Sequence, residues 1–142
     1  MRAIRSDGTT ITLDLRAPEP TAGAGEAILR VTRTTVGASD LEVARGRPAF
    51  TGVLGHEFVG VVEQVGPGSG EPGRGWVGKR VVASATVSCG RCDLCRAGVA
   101  VHCRQGAEIG RRGRDGCFAE QVCVPLRNLA EVPRSLGDDQ AV

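Results

Sequence analysis

Cys89-Gly90-Arg91-Cys92-Asp93-Leu94-Cys95-Arg96-Ala97-Gly98-Val99-Ala100-Val101-His102-Cys103 places four cysteines with gaps of two, two and seven residues. Two-residue gaps let a tight turn aim successive thiolates at one point, as a tetrahedral ion bonded to sulfur at about 2.3 Å demands. Gly90 and Gly98 relieve the backbone in the turns, and Arg91 and Arg96 stand where positive charge offsets a metal tetrathiolate. Four thiolates leave zinc no position for water or substrate, so the ion expected at Cys89, Cys92, Cys95 and Cys103 is structural. The alternatives are two disulfides, free buried thiols or an iron centre, but three cysteines within seven residues are poor disulfide partners for each other. His102 neighbours Cys103 and, with four cysteines available, is expected at the surface. The surrounding irregular lobe, about 88–114, has few apolar residues, and its folding is expected to depend on metal.

Around this lobe the chain reads as strands. Ala27, Leu29 and Val31 alternate with Ile28, Arg30 and Thr32, which predicts a half-buried strand. Phe58 to Val65 predicts a more buried one, and Arg80 to Val87 a third by alternation. Val122, Val124 and Leu126 predict a fourth, with Pro125 marking an edge or an end. Shorter strands are expected at Ala3-Ile4-Arg5 and Thr10 to Leu13, joined at Ser6-Asp7-Gly8. Helix signals are sparse. Ser39-Asp40 is a cap for one turn through Ala44, closed by Gly46. Ser135 or Asp138 opens a second start with no helix after it, which points to a missing downstream domain. The class expected is mainly β: a small, Greek-key-like barrel with few short helices and the cysteine lobe inserted.

Composition agrees. The 142 residues are 41% hydrophobic but only 3% aromatic, without tyrosine, so the core must come from Val, Leu, Ile and Ala. Twenty-one glycines between short apolar runs favour turns and strands. A net charge of +2 is too small to argue for nucleic acid or an anionic membrane. Arg111, Arg112 and Arg114 read as a solvated loop. No stretch reaches membrane-span length and the N-terminus lacks an apolar signal region, so the expectation is cytoplasmic with no membrane partner. Cys117 and Cys123 read as core or near-core thiols.

A second pattern is Gly55-His56-Glu57-x2-Gly60-x5-Gly66-x2-Ser69. With the cysteine lobe, it resembles the signature of zinc-containing medium-chain alcohol dehydrogenases. Trp76-Val77-Gly78-Lys79-Arg80-Val81-Val82 and Asp115-Gly116-Cys117-Phe118-Ala119-Glu120 resemble two further segments of that family, in the same order along essentially all 142 residues. The resemblance implies that residues 1–142 are a GroES-like, partly open β-barrel, the substrate-side domain of an enzyme that pairs it with a Rossmann domain for NAD or NADP. It implies hydride transfer between a small alcohol and an aldehyde or ketone, polarised by a catalytic zinc. His56 and Glu57 match a zinc-binding histidine and the glutamate beside it. Ser39 matches a proton-relaying hydroxyl, and Asp40 an acid that orients the histidine. The resemblance also admits an oligomer.

The sequence departs from the family at Gly37-Ala38-Ser39-Asp40, where glycine stands in place of the first zinc-binding cysteine. The later ligand would fall beyond Val142. Catalytic zinc usually has three protein ligands, so no fully occupied catalytic zinc is expected from His56 and Glu57. Gly68 to Gly73 and Gly73 to Gly78 each match Gly-x-Gly-x-x-Gly, but neither lies in a strand–turn–helix unit, and both read as a flexible turn, with no cofactor-binding residue. The isolated chain is expected to be inactive. The alternative is a degenerate, non-catalytic zinc-binding module acting in association or stability.

Overall fold

The computed structural model describes residues 1–47 and 49–142. Three sheets, short of a closed barrel, build it. The largest has strand order β10-β3-β5-β6-β11, with β3 Glu26–Thr34, β5 Phe58–Val65, β6 Arg80–Ala83, β10 Gln121–Pro125 and β11 Leu129–Glu131, all antiparallel. A second sheet sets β1 Ala3–Asp7 between β2 Ile11–Asp14 and β4 Thr51–Val53. A third joins β7 Thr86–Val87 to β8 Ala107–Ile109 and β9 Gly113–Arg114. Four short helices punctuate them among the described residues: α1 Ala38–Ala44, α2 Gly70–Arg74, α3 Asp93–Arg96 and α4 Asp138–Ala141. Among the described residues no helix is long and apolar enough to cross a membrane.

The main core gathers Leu29, Val62, Val81, Val122, Val124, Ile109 and Cys117. Aliphatic side chains therefore do the burying, as the lack of aromatics requires. Pro125 ends β10, an edge strand where its missing N–H costs no ladder bond. β3 is buried more fully than simple alternation predicts: Ala27, Ile28 and Leu29 are all closed from solvent, and the polar-out pattern begins only at Arg30.

Several elements differ from expectation. The run Arg80 to Val87 is two strands, because the chain leaves the large sheet at Ser84 and enters the lobe sheet at Thr86. Asn128 braces the break, its side-chain amide donating to the Ser84 and Thr86 carbonyls at 2.7 and 2.9 Å. The run from Trp76 is a turn up to Arg80, as the glycine motifs suggest, rather than the start of the next strand. Ahead of it lies α2, with Pro72 tolerated in its first turn, where an N–H has no helical partner anyway. The loop joins antiparallel β5 and β6, so neither glycine motif sits in a parallel βαβ unit. Ser39 is not the cap of α1: Gly37 is, and Asp40 reaches back to accept its N–H at 2.8 Å. The start at Asp138 does lead into a helix, α4, one turn long. Thr32 donates to the Asp138 carboxylate at 2.8 Å, and Arg80 and Arg33 pair with Asp138 and Asp139.

Candidate metal centre and active-site cleft

The lobe is less irregular than its sequence suggests. Its first half, with α3 and a 3-10 turn at Ala100–His102, carries the cysteines; its second half is strand. Ile109 from that half is fully buried in the main core, and its N–H donates to the Ala85 carbonyl at 3.0 Å. The arginine cluster divides accordingly. Arg111 and Arg112 face Glu108, whereas Arg114 is half-buried against Glu26 of β3 and ties the lobe to the large sheet.

The sulfurs of Cys89, Cys92, Cys95 and Cys103 all lie within 4.8 Å of one another. Three pairs stand at 3.9, 3.5 and 3.9 Å: Cys89 to Cys95, Cys92 to Cys95 and Cys92 to Cys103. Tetrahedral sulfurs around zinc at about 2.3 Å are about 3.8 Å apart, so the cradle fits that ion. All four cysteines are free thiols, not disulfides. Backbone amides already favour thiolate: those of Arg91 and Cys92 hold the Cys89 thiol down to about 6. Cys92 is also lowered, chiefly by the Cys95 amide, while desolvation followed by its sulfur neighbours pushes Cys95 up to about 11. His102, Arg91 and Arg96 are exposed. Among the described residues this is the one group of three or more His, Cys, Asp or Glu donors close enough to hold a metal.

Ser39, Asp40, His56 and Glu57 form a second cluster. Gly55 sets it up. Its φ is +90°, and a Cβ there would lie 2.7 Å from the Phe118 Cε1 atom, so only glycine lets the chain turn tightly under the ring and present His56. Asp40, 5% exposed, takes His56 Nδ1 on one carboxylate oxygen at 3.0 Å and the Gly37 N–H on the other at 2.8 Å. The carboxylate makes Nδ1 the donor, which leaves Nε2 of a neutral ring as acceptor. Ser39 Oγ lies 3.1 Å from that Nε2. Glu57 stands further off, Oε1 4.0 Å from Nε2, with Oε2 accepting the Thr35 hydroxyl at 2.8 Å. His56 and Glu57 line a cleft of about 310 Å³ whose other walls are Phe58, Val82, Ala83, Ala85, Ala141 and Val142. No motif in the sequence marked those apolar walls.

The model of the alcohol dehydrogenase GroES-like domain matches residues 23–134. The chain belongs to this family. The domain is 38% identical over 126 residues to the starvation-sensing protein RspB of Escherichia coli K12, covering 87% of the chain and 36% of that relative. It is 32% identical over 130 residues to an L-threonine 3-dehydrogenase of a Marinomonas species, covering 87% of the chain and 37% of that protein. It also superposes on the crystal structure of the E. coli CFT073 alcohol dehydrogenase RspB complexed with NADH. The TM-score is 0.89 at 32% identity, covering 99% of the chain and 41% of the other. This GroES-like domain thus spans well under half the length of these relatives.

At the second cluster, position 37 is glycine and offers no side-chain donor, and His56 Nε2 faces Ser39 Oγ. Of the remaining thiols, Cys117 is fully buried, and burial pushes it up to about 12. Cys123 is partly buried beside Glu26 and pushed up to about 11, again chiefly by burial. Neither reaches the cluster as a ligand.

Proposed function

We propose that this chain is the substrate-side domain of a nicotinamide-dependent medium-chain dehydrogenase or reductase, interconverting a small alcohol and its aldehyde or ketone. The observation that carries the reading is that His56, held between Ser39 and Asp40, lines a small cleft with apolar walls, in a chain of this family. Such a cleft suits a compact, weakly polar substrate whose one oxygen meets the acid–base groups. Cys89, Cys92, Cys95 and Cys103 would hold one structural zinc, which when bound cross-links α3 to the approach to β8. NAD or NADP would be bound by a nucleotide-binding domain outside these 142 residues. The chain alone would then be inactive, and its location cytoplasmic.

Two measurements test this. Zinc analysis after exhaustive dialysis should give one zinc per chain, lost when Cys103 is replaced by serine. The protein that carries this domain together with a nucleotide-binding half should oxidise small alcohols with NAD⁺ or NADP⁺, while the 142-residue chain should not. Gly37 supports a second reading, a degenerate module that serves stability or association. Correct folding with one zinc, but no turnover of any alcohol or carbonyl by the longer protein, would favour that reading.

A further inference from the structure

We propose that strand β2 is an association edge on which a second copy of this chain pairs antiparallel, Ile11 of each copy against Leu13 of the other. The proposal goes beyond the dehydrogenase reading and does not depend on it.

The backbone of β2 is only half used. Ile4 of β1 donates its N–H to the Phe118 carbonyl at 2.7 Å and accepts the Leu54 N–H at 3.0 Å, so both its polar groups point away from β2. Ile4 stands opposite Leu13, and the two therefore form a pair without mutual hydrogen bonds. Such pairs alternate along an antiparallel ladder, so Ile11, opposite Ser6, is in the same state. The N–H and C=O groups of Ile11 and Leu13 all point outward, where β2 is the edge of its sheet and pairs with no strand among the described residues. Their side chains share one face and are 40% and 65% exposed.

Other edges are closed. On the far side of the same sheet, Val53 of β4 donates to the Asp115 carboxylate at 2.8 Å and accepts the Gly116 N–H at 2.8 Å. At the edge of the large sheet, β10 ends in Pro125. Proteins commonly blunt a strand edge with proline, lysine, a bulge or a covering loop. The β2 run Ile-Thr-Leu-Asp has no proline or lysine, and its register with β1 is unbroken from Asp14 to Ile11.

The sequence selects the partner and the register. The outward groups sit on odd-numbered residues, so a two-fold copy must set odd residues against odd ones. Centred on Thr12, the pairing sets Ile11 against Leu13 twice, and each of these pairs exchanges two backbone hydrogen bonds. On the opposite face Thr12 meets Thr12 and Asp14 meets Thr10, so apolar faces apolar and no like charges stand opposite. Centred on Asp14, the two carboxylates would stand opposite each other with Cα atoms about 4.5 Å apart. Centred on Leu13, Ile11 would need Leu15, which lies past the end of β2.

A short edge-to-edge contact is at the weak end of specific interfaces, so sedimentation velocity of the zinc-loaded chain should show a reversible monomer–dimer equilibrium between about 10 μM and about 1 mM. Over that range amide exchange at Ile11 and Leu13 should slow, while that at Thr12, whose N–H already faces Arg5, should not change. Leu13→Lys should weaken the dimer about 10-fold or more, and so should Leu13→Pro, which removes an outward N–H and no internal bond. Circular dichroism and zinc content should stay unchanged. With oxidised glutathione, Thr12→Cys should give a disulfide-linked dimer; Asp14→Cys should not, because its two copies would lie about 14 Å apart. A chain still monomeric at about 1 mM, a dimer of unaltered affinity in Leu13→Lys, or equal cross-linking at 12 and 14 overturns the proposal and leaves the dehydrogenase reading untouched.

Discussion

Replacing Gly55 with alanine tests how tightly His56 is held. The added Cβ would come 2.7 Å from both Cγ and Cε1 of Phe118, where real Cβ atoms essentially never approach closer than 3.0 Å. Phe118 cannot easily withdraw. Its N–H donates to the Leu54 carbonyl at 2.8 Å, its carbonyl accepts the Ile4 N–H at 2.7 Å, and its ring packs on both the main core and the Val43, Phe50 and Leu54 cluster. Overpacking of this kind costs about 1–3 kcal/mol. Holding a non-glycine residue at a φ of +90° adds about 1–2 kcal/mol. The sum is about 2–5 kcal/mol, or about 5–15 °C in Tm for a domain of this size. Denaturant unfolding of zinc-loaded protein measures it. Adding Phe118→Leu should return only the packing part, a coupling of about 1–2 kcal/mol, because the backbone strain survives. Gly55→Ala as stable as the parent within about 0.5 kcal/mol would refute the account.

Two further outcomes follow from the same structure. In zinc-loaded protein, iodoacetamide should leave Cys117, raised to about 12 by burial, unmodified well above pH 9, and mass mapping across pH reads it. The raised Cys117 contributes stability that is full below its ordinary value of 9.0 and is lost as pH climbs toward about 12. Arg114→Ala should cost about 1–3 kcal/mol by leaving the part-buried Glu26 carboxylate without its charged partner, with faster amide exchange confined to β8 and β9.

Much of the fold was legible because aliphatic alternation is local. Phe58 to Val65 and Val122 to Val124 form strands as their patterns predict. Alternation failed where it continued through a break: nothing in Val82-Ala83-Ser84-Ala85-Thr86 shows that the chain changes sheets, because the bonds that decide it come from Asn128, over forty residues away. The strands Thr51–Val53, Ala107–Ile109, Gly113–Arg114 and Leu129–Glu131 are too short to carry a period of their own. At the metal site, spacing was sufficient, since three of the four donors lie within one turn-rich segment. The second cluster was named from its motifs, but the contact of Ser39 with His56 Nε2 depends on α1 leaning against the chain after β4. Only the assembled fold shows that. Arg114 was misread as solvated because its partner Glu26 lies 88 residues away.

The chain just before His56 also touches two other glycines. A Cβ at Gly110 would lie 2.7 Å from the Gly55 carbonyl carbon, and one at Gly116 2.6 Å from the Gly110 Cα. Three stretches of bare main chain are thus stacked with no side chain between them. A crowded core can usually absorb an enlargement at one position by trimming a neighbour. Gly110 and Gly116 have no such remedy, because what stands in the way is peptide, and peptide cannot be made smaller. Random mutagenesis with selection for a folded protein should accordingly recover compensated pairs at ordinary core positions and none at these two.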